Sequence, residues 1–218
     1  MKKYFCLLLF ALSASQVSMS QNNKPVTTVA NRNINNEARS LQLTHQLRIS
    51  DTVKREQVYN LLNHHLNALQ LIFDERRKSM DDAEKNTTEE LADSRARAAW
   101  DAANGQLNKL YAAFLGKLSN LLTPDETERL KDLMTEGGLQ REYNHYLALL
   151  PNLSEQQKMQ VTAYLKEARE NAMNAATAQN RVEWFIKFRG RANNYLAAAG
   201  YDLHKATEEL ETRSNKTR

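Results

Sequence analysis

One cysteine occurs in 218 residues, Cys6, and it lies in the N-terminal apolar run. Beyond that run the chain has no thiol. This excludes a disulfide, a cysteine-ligated zinc site and a cysteine nucleophile there. Proline and glycine are scarce, three and six, and most fall where a helix is expected to start or stop. No alternating apolar–polar run of useful length occurs and β-branched residues are few, so strands have no signal. A glycine-rich phosphate loop, a His-Glu-x-x-His zinc motif and a Gly-x-Ser-x-Gly elbow are all missing. No cofactor and no metal is expected. Nor is one sign of charge in large excess. The formal net charge is +4, near +2 once Lys2 and Lys3 are removed. Basic and acidic residues are interspersed, so the high pI does not argue for nucleic acid.

The N-terminus has the pattern of an export signal. Lys2-Lys3 is a positive start, Tyr4 to Ala14 a short apolar run, and Ser13, Ala14, Ser15, Ser18 and Ser20 are small. The run is too short for a stable membrane anchor. Cys6 sits at its front, not just after it, so a lipoprotein signal is not formed. Residues 1–20 are read as a signal peptide cleaved after Ser20, with Ser15 as the other candidate. The expected location is periplasmic or extracellular. Residues 21–35, polar and aperiodic, read as a flexible arm. An all-helical domain is expected over 36–213, and residues 214–218 as a disordered tail.

Helix-forming composition fills that domain. A partial stripe, Ala38, Leu41 and Leu43, predicts a helix over 36–47. Ser50 or Asp51 caps the next, whose Val58, Leu61, Leu62, His65, Leu69, Ile72 and Phe73 recur at three- and four-residue steps. His64 and His65 are about 100° apart on a helix and cannot chelate one ion from one face; His65 belongs to the core or its boundary. The charged segment 74–84 reads as a solvated helix end. Thr87 and Glu90 match a capping box, and the helix they open carries Leu91, Ala98, Trp100, Ala103, Leu107, Leu110, Tyr111, Phe114, Leu118 and Leu121 in its apolar set. Gly105 within it marks a kink or a close crossing. Thr123-Pro124-Asp125-Glu126 is a strong restart, and that short helix ends at Gly137-Gly138. One more runs from Leu139 to Leu150.

The densest region follows. Ser154 and Gln157 form a capping box after Pro151. Val161, Leu165, Ala168, Ala172 and Ala175 follow at helical spacing, with Arg169 inside the arc. A second helix, 178–199, carries Val182, Phe185, Ala192, Leu196 and Ala199 as core stripe, Trp184, Phe188 and Tyr195 as aromatic flank, and Arg189 inside the stripe. Gly200 closes it and Asp202 caps a last helix from Leu203 to about Thr212. A guanidinium taken out of water needs an acceptor. Arg169 and Arg189 are therefore expected close together or each beside a carboxylate, with Glu142, Glu183 and Asp202 as candidates. The whole reads as an all-α single bundle of seven or eight helices with short connections and antiparallel neighbours.

The segments LPNLSEQQ, YLKEAREN-AM, WFIKFRGRANNYL and AAGYDL together resemble domain-of-unknown-function family 3826. It is found mainly in Bacteroidota and is described as a candidate sugar-binding family. The likeness is dense over Leu149–Lys205. It implies a helical, exported protein linked to carbohydrate use, and it carries no catalytic residues over. One departure is the joint Asn174–Ala178, where a glycine-containing turn is expected. No function is assigned to that joint.

A glycan site, if composed here, would use Trp184, Tyr195 and Tyr201 for sugar C–H faces and Arg189, Arg191, Asn193, Asn194 and Asp202 for hydroxyls. Aromatics at helical spacing more often form core than platform. The leading expectation is a carbohydrate-associated accessory protein, with a glycan or other glycan-utilisation proteins as partners. Two alternatives stand beside it. Leu153-Ser154-Glu155-Gln156-Gln157 is similar to the Leu-Thr-x-x-Gln motif of small periplasmic chaperones, which fits a helical chaperone or adaptor. A carbohydrate-active enzyme would need two carboxylates facing a sugar, which sequence cannot place.

Overall fold

The structure, a computed structural model, describes residues 29–85 and 87–216. The expected signal peptide and residues 21–28 of the expected arm lie outside them. Eight helices and no strand occur among the described residues: α1 (Val29–Leu47), α2 (Thr52–Ala83), α3 (Glu89–Leu121), α4 (Pro124–Met134), α5 (Gly138–Leu149), α6 (Glu155–Met173), α7 (Ala178–Ala198) and α8 (Leu203–Lys216). This is the expected all-α bundle. No described helix is long and apolar enough to cross a membrane.

The starts follow local chemistry. Thr123 and Ser154 form full capping boxes with Glu126 and Gln157. Asp51 accepts from the Lys54 amide and Asp202 from the Lys205 amide, both at 3.0 Å. Each satisfies amides that the helix itself leaves unpaired. Gly200 closes α7 with φ 93°, and the Tyr201 amide reaches back to the Leu196 carbonyl at 3.1 Å.

Two larger cores result. Tyr146, Val161, Leu165, Phe185, Phe188 and Leu196 centre the one formed by α5–α8. Leu43, Val58, Leu62, Phe114, Leu118 and Leu130 centre the one formed by α1, α4 and the packed parts of α2 and α3. A small third cluster, Leu66, Leu69, Phe73 and Leu107, lies further along the α2–α3 hairpin, and Ala176 of the α6–α7 joint rests on it.

Several expectations need correcting. The helix α1 starts at Val29, inside the segment expected to be a flexible arm, and α8 runs to Lys216, inside the expected tail. Thr88, not Thr87, is the N-cap of α3, and it makes no side-chain cap bond. On α7 the buried row is Arg181, Phe185, Phe188, Ala192 and Leu196. Val182 is 43% exposed, and Ala199 is an exposed cap. The real stripe is therefore rotated by about one residue. The guanidinium of Arg181, paired with Glu136 at 2.7 Å, takes the buried position that Val182 was expected to fill. Leu91 and Trp100 are 44% and 47% exposed, because α3 packs mainly on α2 and its buried residues begin only at Ala103. Gly105 meets no neighbour. The close approach is at Gly138 instead, where a methyl would come within 2.5 Å of the Phe185 ring.

Candidate functional site

The eight residues read from sequence do not converge. Arg189 lies at the edge of its stripe, with Nε 3.6 Å from Glu142 of α5. Arg191 pairs with Glu167 at 3.1 Å and lies 4.7 Å from the Phe188 ring centre. Asn193 accepts from the buried Tyr146 hydroxyl at 2.6 Å. Tyr195 meets Tyr164 edge-on. Tyr201 donates to Gln157 at 2.9 Å, and Asp202 caps α8. Asn194 is exposed. From Trp184 to the end of α7 at Ala198 the helix advances roughly 21 Å, too far for one short ligand. Most of these side chains already hold the bundle together.

Trp184 alone of the eight lines a cleft whose volume is about 540 Å³. One wall is the α2–α3 hairpin: Phe73 and Arg76 from α2, and Trp100, Asn104, Leu107 and Asn108 from α3. The spacing of Trp100, Asn104 and Asn108 places them on one helix face. The other wall is the end of α6, the joint and the start of α7. It contributes Asn171, Asn174, Ala175 and Ala176, then Asn180, Glu183, Trp184 and Lys187. Both tryptophans of the chain thus face one cleft, among five asparagines.

The electrostatics of this cleft differ from those of the cores. The Arg76 guanidinium lies 4.3 Å from the Trp100 ring centre and 4.9 Å from that of Phe73. Burial, reinforced by neighbouring Arg77, lowers its pKa. Lys187 lies 4.8 Å from the Trp184 ring centre. Glu183 is the cleft's one carboxylate among the described residues and accepts from Asn180 at 2.9 Å. The side-chain oxygen of Asn174 is buried without a hydrogen-bond partner. Buried polar atoms are rarely left so.

The striped arginines behave as expected in their second form, each beside a carboxylate. Arg169 is 3% exposed and reaches Asp132 at 2.7 Å and Glu128 at 2.5 Å. Glu170 beside it accepts from Tyr111 and from Lys131. Arg181, which sequence reasoning passed over, is the second buried guanidinium among the described residues, whereas Arg189 is partly exposed. Arg39 next to it donates to the Met134 carbonyl, and burial, with Arg181 adding, holds its pKa down to about 10. His65 stacks on Phe114 at 3.8 Å with an interplanar angle of 9°. Burial, with His64 adding, lowers its pKa to about 3, so it is neutral. No metal-binding cluster occurs among the described residues.

Residues 33–216 match the family described as protein of unknown function (DUF3826). The chain belongs to that family. No curated protein matches it. In this chain the cleft is the feature the sequence concealed. Trp100 reads as core because it lies among apolar residues, Arg76 is lost in a charged run, and the joint looks like a spacer. The legible signal was the row Trp100, Asn104, Asn108, which a core-facing helix surface has no reason to carry.

Proposed function

We propose that this DUF3826 protein is an exported accessory protein that binds carbohydrate in the cleft between the α2–α3 hairpin and the α6–α7 joint. The observation that carries the reading is the meeting of both tryptophans in one concave site with five asparagines. Aromatic faces suit the C–H surfaces of sugar rings. Asparagine amides offer donors and an acceptor at fixed places to sugar hydroxyls. Asn104, Asn108 and Asn174 are candidates for that role. A concave site with a few converging polar groups is the usual form of a small-ligand site. The cleft's single carboxylate, Glu183, favours binding over two-carboxylate hydrolysis there.

Titration of Trp fluorescence with a panel of plant and host oligosaccharides tests this directly, since both reporters lie in the cleft. A saturable change is expected with at least one glycan and is expected to vanish in Trp184→Ala with the melting temperature kept. Folded protein that responds to no glycan in a broad panel would end the reading. Export rests on residues 1–20 and is checked by N-terminal sequencing of periplasmic protein, with Gln21 expected first.

A further inference from the structure

The cations of this chain that leave bulk water are, as a rule, matched by carboxylates. Lys54 pairs with Glu126, Lys131 with Glu128 and Glu170, Arg169 with Glu128 and Asp132, and Arg181 with Glu136. Two cations that line the cleft, half-buried Arg76 and exposed Lys187, are not matched in this way. Arg76 and Lys187 have no carboxylate partner among the described residues; each is placed against an aromatic face instead. Arg76 is half-buried, so its charge has lost water without gaining an anion. The stacking holds the head group in place and leaves its N–H donors unused. A planar fork of donors held in this way matches a carboxylate or sulfate in two-point contact.

The one opposing charge, Glu183, is already engaged by Asn180 at 2.9 Å and, more weakly, by Gln179 at 3.5 Å from its own helix. The cleft therefore presents two fixed cations against one occupied carboxylate, between two indole rings. We propose that its ligand is an acidic sugar, with the carboxylate or sulfate on Arg76 and Lys187 and the ring against Trp100 or Trp184. This rests on the carbohydrate reading above and narrows it to a charged class.

The experiment uses the chain from Gln21 onward and follows Trp fluorescence and calorimetry with four probes. These are an oligogalacturonide, the same oligosaccharide as its methyl ester, a sulfated galactan oligosaccharide and a neutral galactan oligosaccharide. The expected result is binding of the uronate, the sulfate or both at least about tenfold tighter than their uncharged counterparts, with the preference shrinking as salt is raised. Which acid binds identifies the anion. Arg76→Gln and Lys187→Gln should each cut the preference several-fold with the melting temperature kept. Binding of both acids no tighter than their uncharged counterparts, or a preference unchanged in both variants, overturns the acidic-sugar proposal while leaving the carbohydrate reading intact. If none of the four probes, nor any glycan of the broader panel, binds the folded protein, both fall together.

Discussion

In α5–α8, Tyr146, Leu165, Phe185 and Leu196 are each no more than 2% exposed, and the polar groups around them are taken. Asn193 holds the Tyr146 hydroxyl, Glu167 holds Arg191 and Glu142 sits beside Arg189. The first turns of α3 are the opposite. Residues 89–102 include no buried side chain, and Leu91 and Trp100 stand in solvent. The same helix propensity runs through both regions. What separates them is the number of neighbours. A helix in a four-helix cluster buries a face; a helix touching one partner cannot, and its aromatic and polar residues stay available. The cleft forms where the under-packed hairpin faces the filled bundle, and its two walls come one from each.

The sharpest test of that contrast is charge in the packed region. The double change Glu128→Gln with Asp132→Asn leaves the buried Arg169 guanidinium only the longer contact to Glu170 at 3.4 Å and should cost about 3 kcal/mol, read by urea unfolding. Arg169→Met leaves only half-exposed carboxylates, which water can reclaim, and should cost less. Equal costs would show that Arg169 is not held by those two groups.

His65 gives a pH-dependent version. Its folded pKa, about 3, lies below the ordinary 6.5. The unfolded chain therefore binds the proton first, and stability is lost as pH falls from about 6.5 towards 3, by up to about 1.4 kcal/mol per pH unit. His65→Phe, stacking on Phe114 in its place, should flatten that slope in the range where carboxylates still titrate little. A slope unchanged in the variant would place the acid sensitivity elsewhere.

A smaller effect is expected at Gly138. An added methyl must displace the Phe185 ring, and Gly138→Ala should cost about 1–3 kcal/mol by overpacking, whereas Gly105→Ala on the open hairpin should stabilise by up to about 1 kcal/mol. Thermal melts of the two variants moving in the same direction would contradict the contrast. The smallest stability change belongs to Trp100→Ala. Despite its size it should move unfolding free energy by only about 0.5–1 kcal/mol, since it is half exposed, and a loss of several kcal/mol would mean the ring is part of a core.

The capping boxes at Thr123 and Ser154, the Gly200 stop and the long apolar repeat of α2 were legible because each depends on residues within one or two turns. The number and order of helices follow from them. The phase of α7 was not legible: Val182 is as apolar as a core position requires, and Arg181 displaces it only because Glu136, forty-five positions away in the chain, supplies the partner. The start of α1 was hidden for the converse reason, since its Asn-rich first turns carry no apolar stripe. That Arg169 and Arg189 would each lie beside a carboxylate was legible, and Glu142 was named for Arg189, but the partners of Arg169, Glu128 and Asp132, were not among the candidates.

Short-range chemistry in the chain alone therefore determined that this protein is helical, where most of its helices begin and end, and that buried arginines would be paired. Tertiary structure alone decided which aromatic residues are core and which face the cleft. Tyr146 and Trp100 are both large rings on amphipathic helices, and nothing local separates them. One is enclosed because α6 and α7 close over it; the other is open because α3 has outrun its neighbours, and burial is a property of neighbours, not of the residue.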